Sequence, residues 1–310
     1  MNIFAALIKR EYLDGWNGYV RTPVILLGLT IGFVFLSLIG IGEFQISGID
    51  NLKGVSNLGE ALAYGNAKDP DNIPAAITFG YWVMSMLAWM VLPFVVFFSL
   101  LGSLYEERRD RSILFFKSLP VADWQEVLAK LVTTVVVAPL GFFGIIVAAH
   151  LATALLLSIV TLIQGGPVLT LWPLGTMAVA WVSLVAHYLL YALWALPLLA
   201  WVLMVSAYAG RMPFMYAVLP PVVAMVAEEV FFDSNHVIEW VGLHAGGWHG
   251  IAFSGLDGRT FDGPADVLRF LVSGEASAYI ASFASGAFWV GLLVAALFIY
   301  ATIRLRQRAL

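Results

Sequence analysis

The stretch FGYWVMSMLAWMVLPFVVFFSLLGSL, residues 79–104, runs directly into Tyr105 and then into Glu106-Glu107-Arg108-Arg109-Asp110-Arg111. The first part holds no Asp, Glu, Lys or Arg and is long enough to cross a bilayer, which needs about 20 apolar residues. The second part is six charges in a row. A soluble helix alternates an apolar stripe with a polar face. This one is apolar all round and then abruptly charged, the pattern of a helix leaving hydrocarbon for water.

Five further segments read the same way: 23–42, 127–160, 173–207, 213–230 and 278–303. Pro139 and Gly141 are expected to kink the third span, and Pro220-Pro221 to break the fifth. Composition agrees, with 61% hydrophobic and 12% charged residues and a mean hydropathy of +0.89. Soluble domains are about half apolar and about a quarter charged. The expected fold is an all-α polytopic membrane protein with six transmembrane helices in a single domain, 1–310. Lys9, Arg10, Glu11 and Asp14 before the first span are too mixed for a signal peptide, so that span is expected to stay.

Orientation follows from Lys and Arg, which favour the cytoplasmic side. With both termini inside, twelve of the 16 basic residues fall inside, and thirteen of the 20 acids fall outside. Segments 43–78 and 231–277 are then extracytoplasmic. Within 231–277, the apolar runs Val237 to Leu243 and Val267 to Val272 are expected to form short outer-leaflet or re-entrant helices.

Several chemistries are excluded. There is no cysteine, hence no disulfide, thiolate metal site or cysteine nucleophile. A P-loop needs glycine before its lysine; the five lysines follow Ile8, Leu52, Ala67, Phe116 and Ala129. Any ATP used must be hydrolysed on another chain. Glu228-Glu229 resembles the start of a Glu-Glu-x-x-x-Arg intramembrane protease motif, but Asp233 occupies the arginine position. His244 and His249 flank two glycines and can be read as metal ligands or as a surface turn. His187, mid-way along the fourth span, is either a helix-to-helix hydrogen-bonding group or a contact on a path. Glu228 and Glu229 either reach interfacial water or stand at the mouth of a path. Small residues recur in the sixth span, including Ser282, Gly286, Gly291 and Ala295, and permit close helix packing.

Residues 105–126 carry the functional signal. The charged stretch 106–111 gives way to Ile113-Leu114-Phe115-Phe116, Pro120 stops that helix, and Asp123 with Glu126 suggests a capped start for the next. Exposed aromatics after a charged helix form either a docking surface or an interfacial helix.

The segment Tyr105 to Asp123, with its Leu119-Pro120-Val121-Ala122-Asp123 turn and Lys130 opening the following helix, closely resembles the first cytoplasmic loop of ABC-2 type permeases, the membrane subunits of type-2 ABC exporters. The basic N-terminal segment, the six spans and Phe288-Trp289-Val290-Gly291 fit the same resemblance. It implies a transporter permease in the bacterial plasma (inner) membrane, not itself an enzyme, working with a second permease copy or close homologue. Two ABC ATPase subunits would hold ATP and Mg, with no cofactor on this chain and no nucleic acid. Residues Glu106, Glu107, Arg108, Arg109, Arg111, Phe115, Phe116 and Lys117 would form the ATPase-coupling surface. Phe4, Ile8, Tyr12 and Trp16 would lie along the inner interface as an elbow helix. His187, Glu228 and Glu229 are the path or gate positions. Two other readings stand beside it. One is mechanotransmission to an extracytoplasmic partner through 231–277 without substrate transfer. The other is a membrane hydrolase using Glu228, Glu229 and the loop histidines.

Overall fold

The computed structural model describes residues 3–38, 57–118, 120–247, 249 and 263–308. Much of segment 43–78 and the middle of 231–277 lie outside the described residues. The described chain is helical throughout: α1 (Ile3–Asp14), α2 (Thr22–Leu38), α3 (Leu58–Lys68), α4 (Ile73–Arg109), α5 (Ile113–Lys117), α6 (Asp123–Val132), α7 (Ala138–Ile163), α8 (Leu174–Tyr208), α9 (Pro213–Phe232), α10 (His236–Gly242), α11 (Pro264–Ala284) and α12 (Gly286–Arg308). Six stretches are long and apolar enough to cross a membrane: Asn17–Leu38, Ile73–Arg109, Asp123–Ile163, Val168–Tyr208, Pro213–Phe232 and Gly286–Arg308. The chain is a multi-pass membrane protein.

The ends of the bundle are chemically unlike. At one, which we call the basic end, α1, the end of α4, α6 and the end of α12 converge on Lys130 and Arg306, with α5 beside them against Arg10 and Gln307. At the other, Gly59 N donates to Gln164 Oε1 at 2.9 Å, and Tyr81 Oη donates to the Leu171 carbonyl at 2.9 Å. Consecutive spans therefore run antiparallel. At 1.5 Å per residue the 37 residues of α4 reach about 55 Å, against about 30 Å of hydrocarbon. Its charged last turn therefore stands clear of the lipid core.

Helix α8 is the axis. It packs on α4, α11 and α12, and its buried side mixes small residues such as Ala180, Ser183, Ala195, Ala200 and Ser206 with large ones such as Met177, Leu190, Trp194 and Leu203. Val182 and Leu174 point outward, 70% and 54% exposed. Lipid is as apolar as leucine, so helices associate through close packing rather than through escape from water. Small residues that let backbones approach, with large ones filling the gaps between them, suit that packing. Helices α2 and α9 are peripheral; α9 buries only Ala217.

At two prolines, Pro139 and Pro221, another helix supplies a donor. Pro221 leaves the carbonyl four residues earlier, that of Ala217, without its usual partner; the Trp201 indole N–H donates to it at 2.9 Å. Pro139 does the same to Val135, and Tyr188 Oη donates to that carbonyl at 2.7 Å. A widened π turn, Thr133–Val137, precedes Pro139. The expected kink in the third span is thus a π turn. The fifth span stays continuous through Pro220-Pro221 as α9.

One other expectation shifts. The sixth span does not start at 278. Helix α11 ends at Ala284, Ser285 takes extended backbone (φ −79°, ψ 124°), and the spanning helix starts at Gly286. Apolar character continues across the break, so hydropathy joins what the backbone separates. The turn at Gln164-Gly165-Gly166-Pro167 closes α7 as a Schellman motif: Gly166 N donates to Thr161 O at 2.9 Å, and Gly165 sits at φ +70°.

Candidate functional site

The basic end is built around a buried ion network. Lys130 Nζ lies 2.8 Å from Glu11 Oε2 and 2.8 Å from Glu107 Oε1. Arg306 Nη1 lies 2.7 Å from Glu107 Oε2, its Nε 3.3 Å from Asp123 Oδ1, and its Nη2 pairs with Glu126 Oε2. Arg10 pairs with Glu11 and reaches Glu126 Oε1 at 3.8 Å. Lys130 and Arg306 are 4% and 2% exposed. Three cations and four carboxylates thus tie α1, α4, α6 and α12 into one block. Buried charges persist only when paired and hydrogen-bonded, and here each cation meets at least one carboxylate.

Asp123 and Glu126 were expected to cap the third span. Both carboxylates are engaged with Arg306 instead; the Ala122 N–H donates to Gln125 Oε1 at 3.3 Å. A capping box leaves these acids on the surface, whereas a nearby buried guanidinium draws them inward.

The expected coupling residues divide by direction. Glu107 is in the network. Arg108 turns back on α8, its Nη2 donating to the carbonyls of Ser206 at 2.8 Å and Ala209 at 2.9 Å; this caps the C-terminal end of α8, where a cation is favoured. Phe116 lies beneath the Arg10 guanidinium, 4.4 Å from ring centroid to Cζ. Lys117 Nζ donates to the Gln307 carbonyl at 3.4 Å. Arg111 adopts φ 60° and turns the chain from α4 into α5. Outward face Glu106, Arg109, Leu114 and Phe115, with Leu114 57% and Phe115 64% exposed. Arg109 pairs with the neighbouring Asp110 at 3.0 Å.

Helix α1 lies along α6, with Tyr12 edge-on to Trp16 at 6.4 Å and tilted on Tyr19 at 5.8 Å. Tyr19 Oη and Thr134 Oγ1 are 3.0 Å apart in a buried contact.

The path and metal positions are dispersed. Glu228 caps α10: its carboxylate accepts from the Val237 N–H at 2.7 Å, and from the His236 N–H and Ser234 Oγ at 2.9 Å each. Glu229 is exposed. His244 is fully buried against Trp194 and Trp240, its Nδ1 2.8 Å from the Trp240 carbonyl. His249 instead meets His187, Nε2 to Nε2 at 3.2 Å. Among the described residues no three His, Cys, Asp or Glu side chains gather as metal ligands.

Sequence reasoning gives Arg306 and Glu11 no site role and reads Glu126 only as a cap, yet all three are network members. Their charges sat at helix ends, where they read as topology. Fold and site define a helical multi-pass membrane protein with an ion-clamped basic end. No family model, curated protein or solved structure matches the chain.

Proposed function

We propose that this chain is the permease subunit of an ATP-driven ABC-2 type exporter, with both termini cytoplasmic and a separate ATPase docking at the basic end. The observation that supports it most is the surface of Glu106, Arg109, Leu114 and Phe115. Two large apolar side chains stand exposed among charges, and the end of α4 that leads into them is held by the buried network through Glu107. An exposed apolar pair rimmed by charge is suited to a protein partner. The packing matters for mechanism: a force applied at α5 would pass through Phe116 to Arg10 on α1 and through Lys117 to Gln307 on α12. ATP and Mg belong to the ATPase in this reading.

The test is a double substitution on the outward face, Arg109→Glu with Phe115→Asp. It touches no member of the network, so the chain is expected to fold and insert normally. Loss of ATPase copurification and of ATP-dependent transport is the expected result. Intact complex and intact transport would overturn the proposal.

A further inference from the structure

Helices α4, α8, α9, α10 and α12 border a half-open cavity of about 1100 Å³, whose outer rim carries the exposed side chains of Phe94, Phe98, Val218 and Val222. None of its lining residues is Asp, Glu, Lys or Arg. Its walls are rich in rings, among them Trp89, Phe97, Trp201, Phe214 and Phe298. The apolar lining is interrupted on one side of α8, where His187 and Tyr191 stand one turn apart. Tyr188 lines it too, but its hydroxyl is engaged with the Val135 carbonyl. Tyr191 makes no hydrogen bond to any described residue. His187 meets His249 across 3.2 Å, so one of the two imidazoles donates and the other accepts.

We propose that this cavity is a binding site for a small uncharged amphiphile: an aromatic or alicyclic body carrying one hydrogen-bonding group that meets Tyr191. The size suits a ligand at the upper end of small-molecule sites, which run to about 1,000 Å³. A net charge would be stripped of water with no counter-charge on the walls, which is strongly unfavourable. A plain acyl chain would leave the Tyr191 phenol unmatched, and such a group discriminates against ligands that cannot pair with it. Rings stack on the aromatic walls in offset or edge-on contacts. The site lies wholly within one chain, so binding does not depend on an ATPase or on the transport reading.

The experiment uses the full chain in lipid nanodiscs and a matched pair of probes. N-phenyl-1-naphthylamine is uncharged with a single N–H; 8-anilino-1-naphthalenesulfonate is the same skeleton with an anionic group. Indole-to-dye energy transfer is read after subtracting protein-free nanodiscs. The neutral dye should saturate near one per chain and bind at least roughly tenfold more tightly than the sulfonate. Tyr191→Phe should weaken the neutral dye roughly three- to tenfold. Ala224→Trp should abolish binding by filling the cavity, and the milder Val218→Phe should reduce it should the first variant fold poorly. Equal affinity for the two dyes would overturn the proposal. So would uptake that tracks lipid without saturating, one dye per two chains, or full binding by the filled variants.

Discussion

Replacing Arg306 by leucine removes the cation that joins three elements of the basic end. Glu107 keeps Lys130 at 2.8 Å, and Asp123, 27% exposed, can turn to water. Glu126 cannot: it is 3% exposed and retains only Arg10 at 3.8 Å. The cost therefore concentrates on one stranded carboxylate. Removing one partner of a buried pair costs about 3–5 kcal/mol. At about 2 °C per kcal/mol for a chain of this size, melting should fall by about 6–10 °C, read by intrinsic tryptophan fluorescence in nanodiscs. Arg306→Leu with Glu126→Leu should recover most of the loss, because no lone charge then remains. Arg304→Leu, two residues away and exposed, should change melting by less than about 1 °C. A silent Arg306→Leu, or a double variant as unstable as the single, would refute the view that this network is a closed set of charges.

Gly291→Ala should destabilise by about 1–3 kcal/mol, because the added methyl would stand 2.3 Å from His244 Nε2; His244→Ala in the same chain should relieve it in the same melting assay. Trp201→Phe should cost about 1–3 kcal/mol by leaving the Ala217 carbonyl bare, and clearly less when Pro221→Ala restores the missing N–H, as a double-mutant cycle would read. Gly166→Val should loosen α3, since any Cβ at Gly166 would lie 2.4 Å from Gly59 Cα; faster amide exchange confined to Leu58–Lys68 is the expected readout.

Hydropathy reveals the spans because lipid imposes its demand locally: each helix must be apolar along its own length, whatever it packs against. The same averaging misplaces the start of the last span, since Ser285 and Gly286 lie in apolar company. Phe115 was legible as exposed because an apolar run of four residues between charges and Pro120 is too short to hide itself. The network was not legible. Residues 11, 107, 126, 130 and 306 are far apart in the chain, and only the antiparallel return of α12 brings Arg306 against Glu107 and Glu126. Glu228 shows a local bond that the sequence does not reveal. Near a span end an acid suggests a gate, yet its oxygens are directed to the first N–H groups of α10, three residues past the left-handed turn at Asp233.

The borrowed donors at the prolines carry a consequence for biogenesis. A span can enter lipid alone only if its own backbone hydrogen bonds are complete. Helix α9 is incomplete at Ala217 without Trp201, and the third span at Val135 without Tyr188. Both donors lie on α8. Synthesis runs from the N-terminus, so α9 emerges to find its indole already made, whereas the third span must wait for its phenol. Two helices thus depend on donors from α8, which is made before one of them and after the other, and α8 sets the order in which the membrane will accept them. Trp201→Phe should accordingly raise the fraction of chains whose α9 fails to insert, scored by a glycosylation-site reporter after α9; unchanged insertion would break this link.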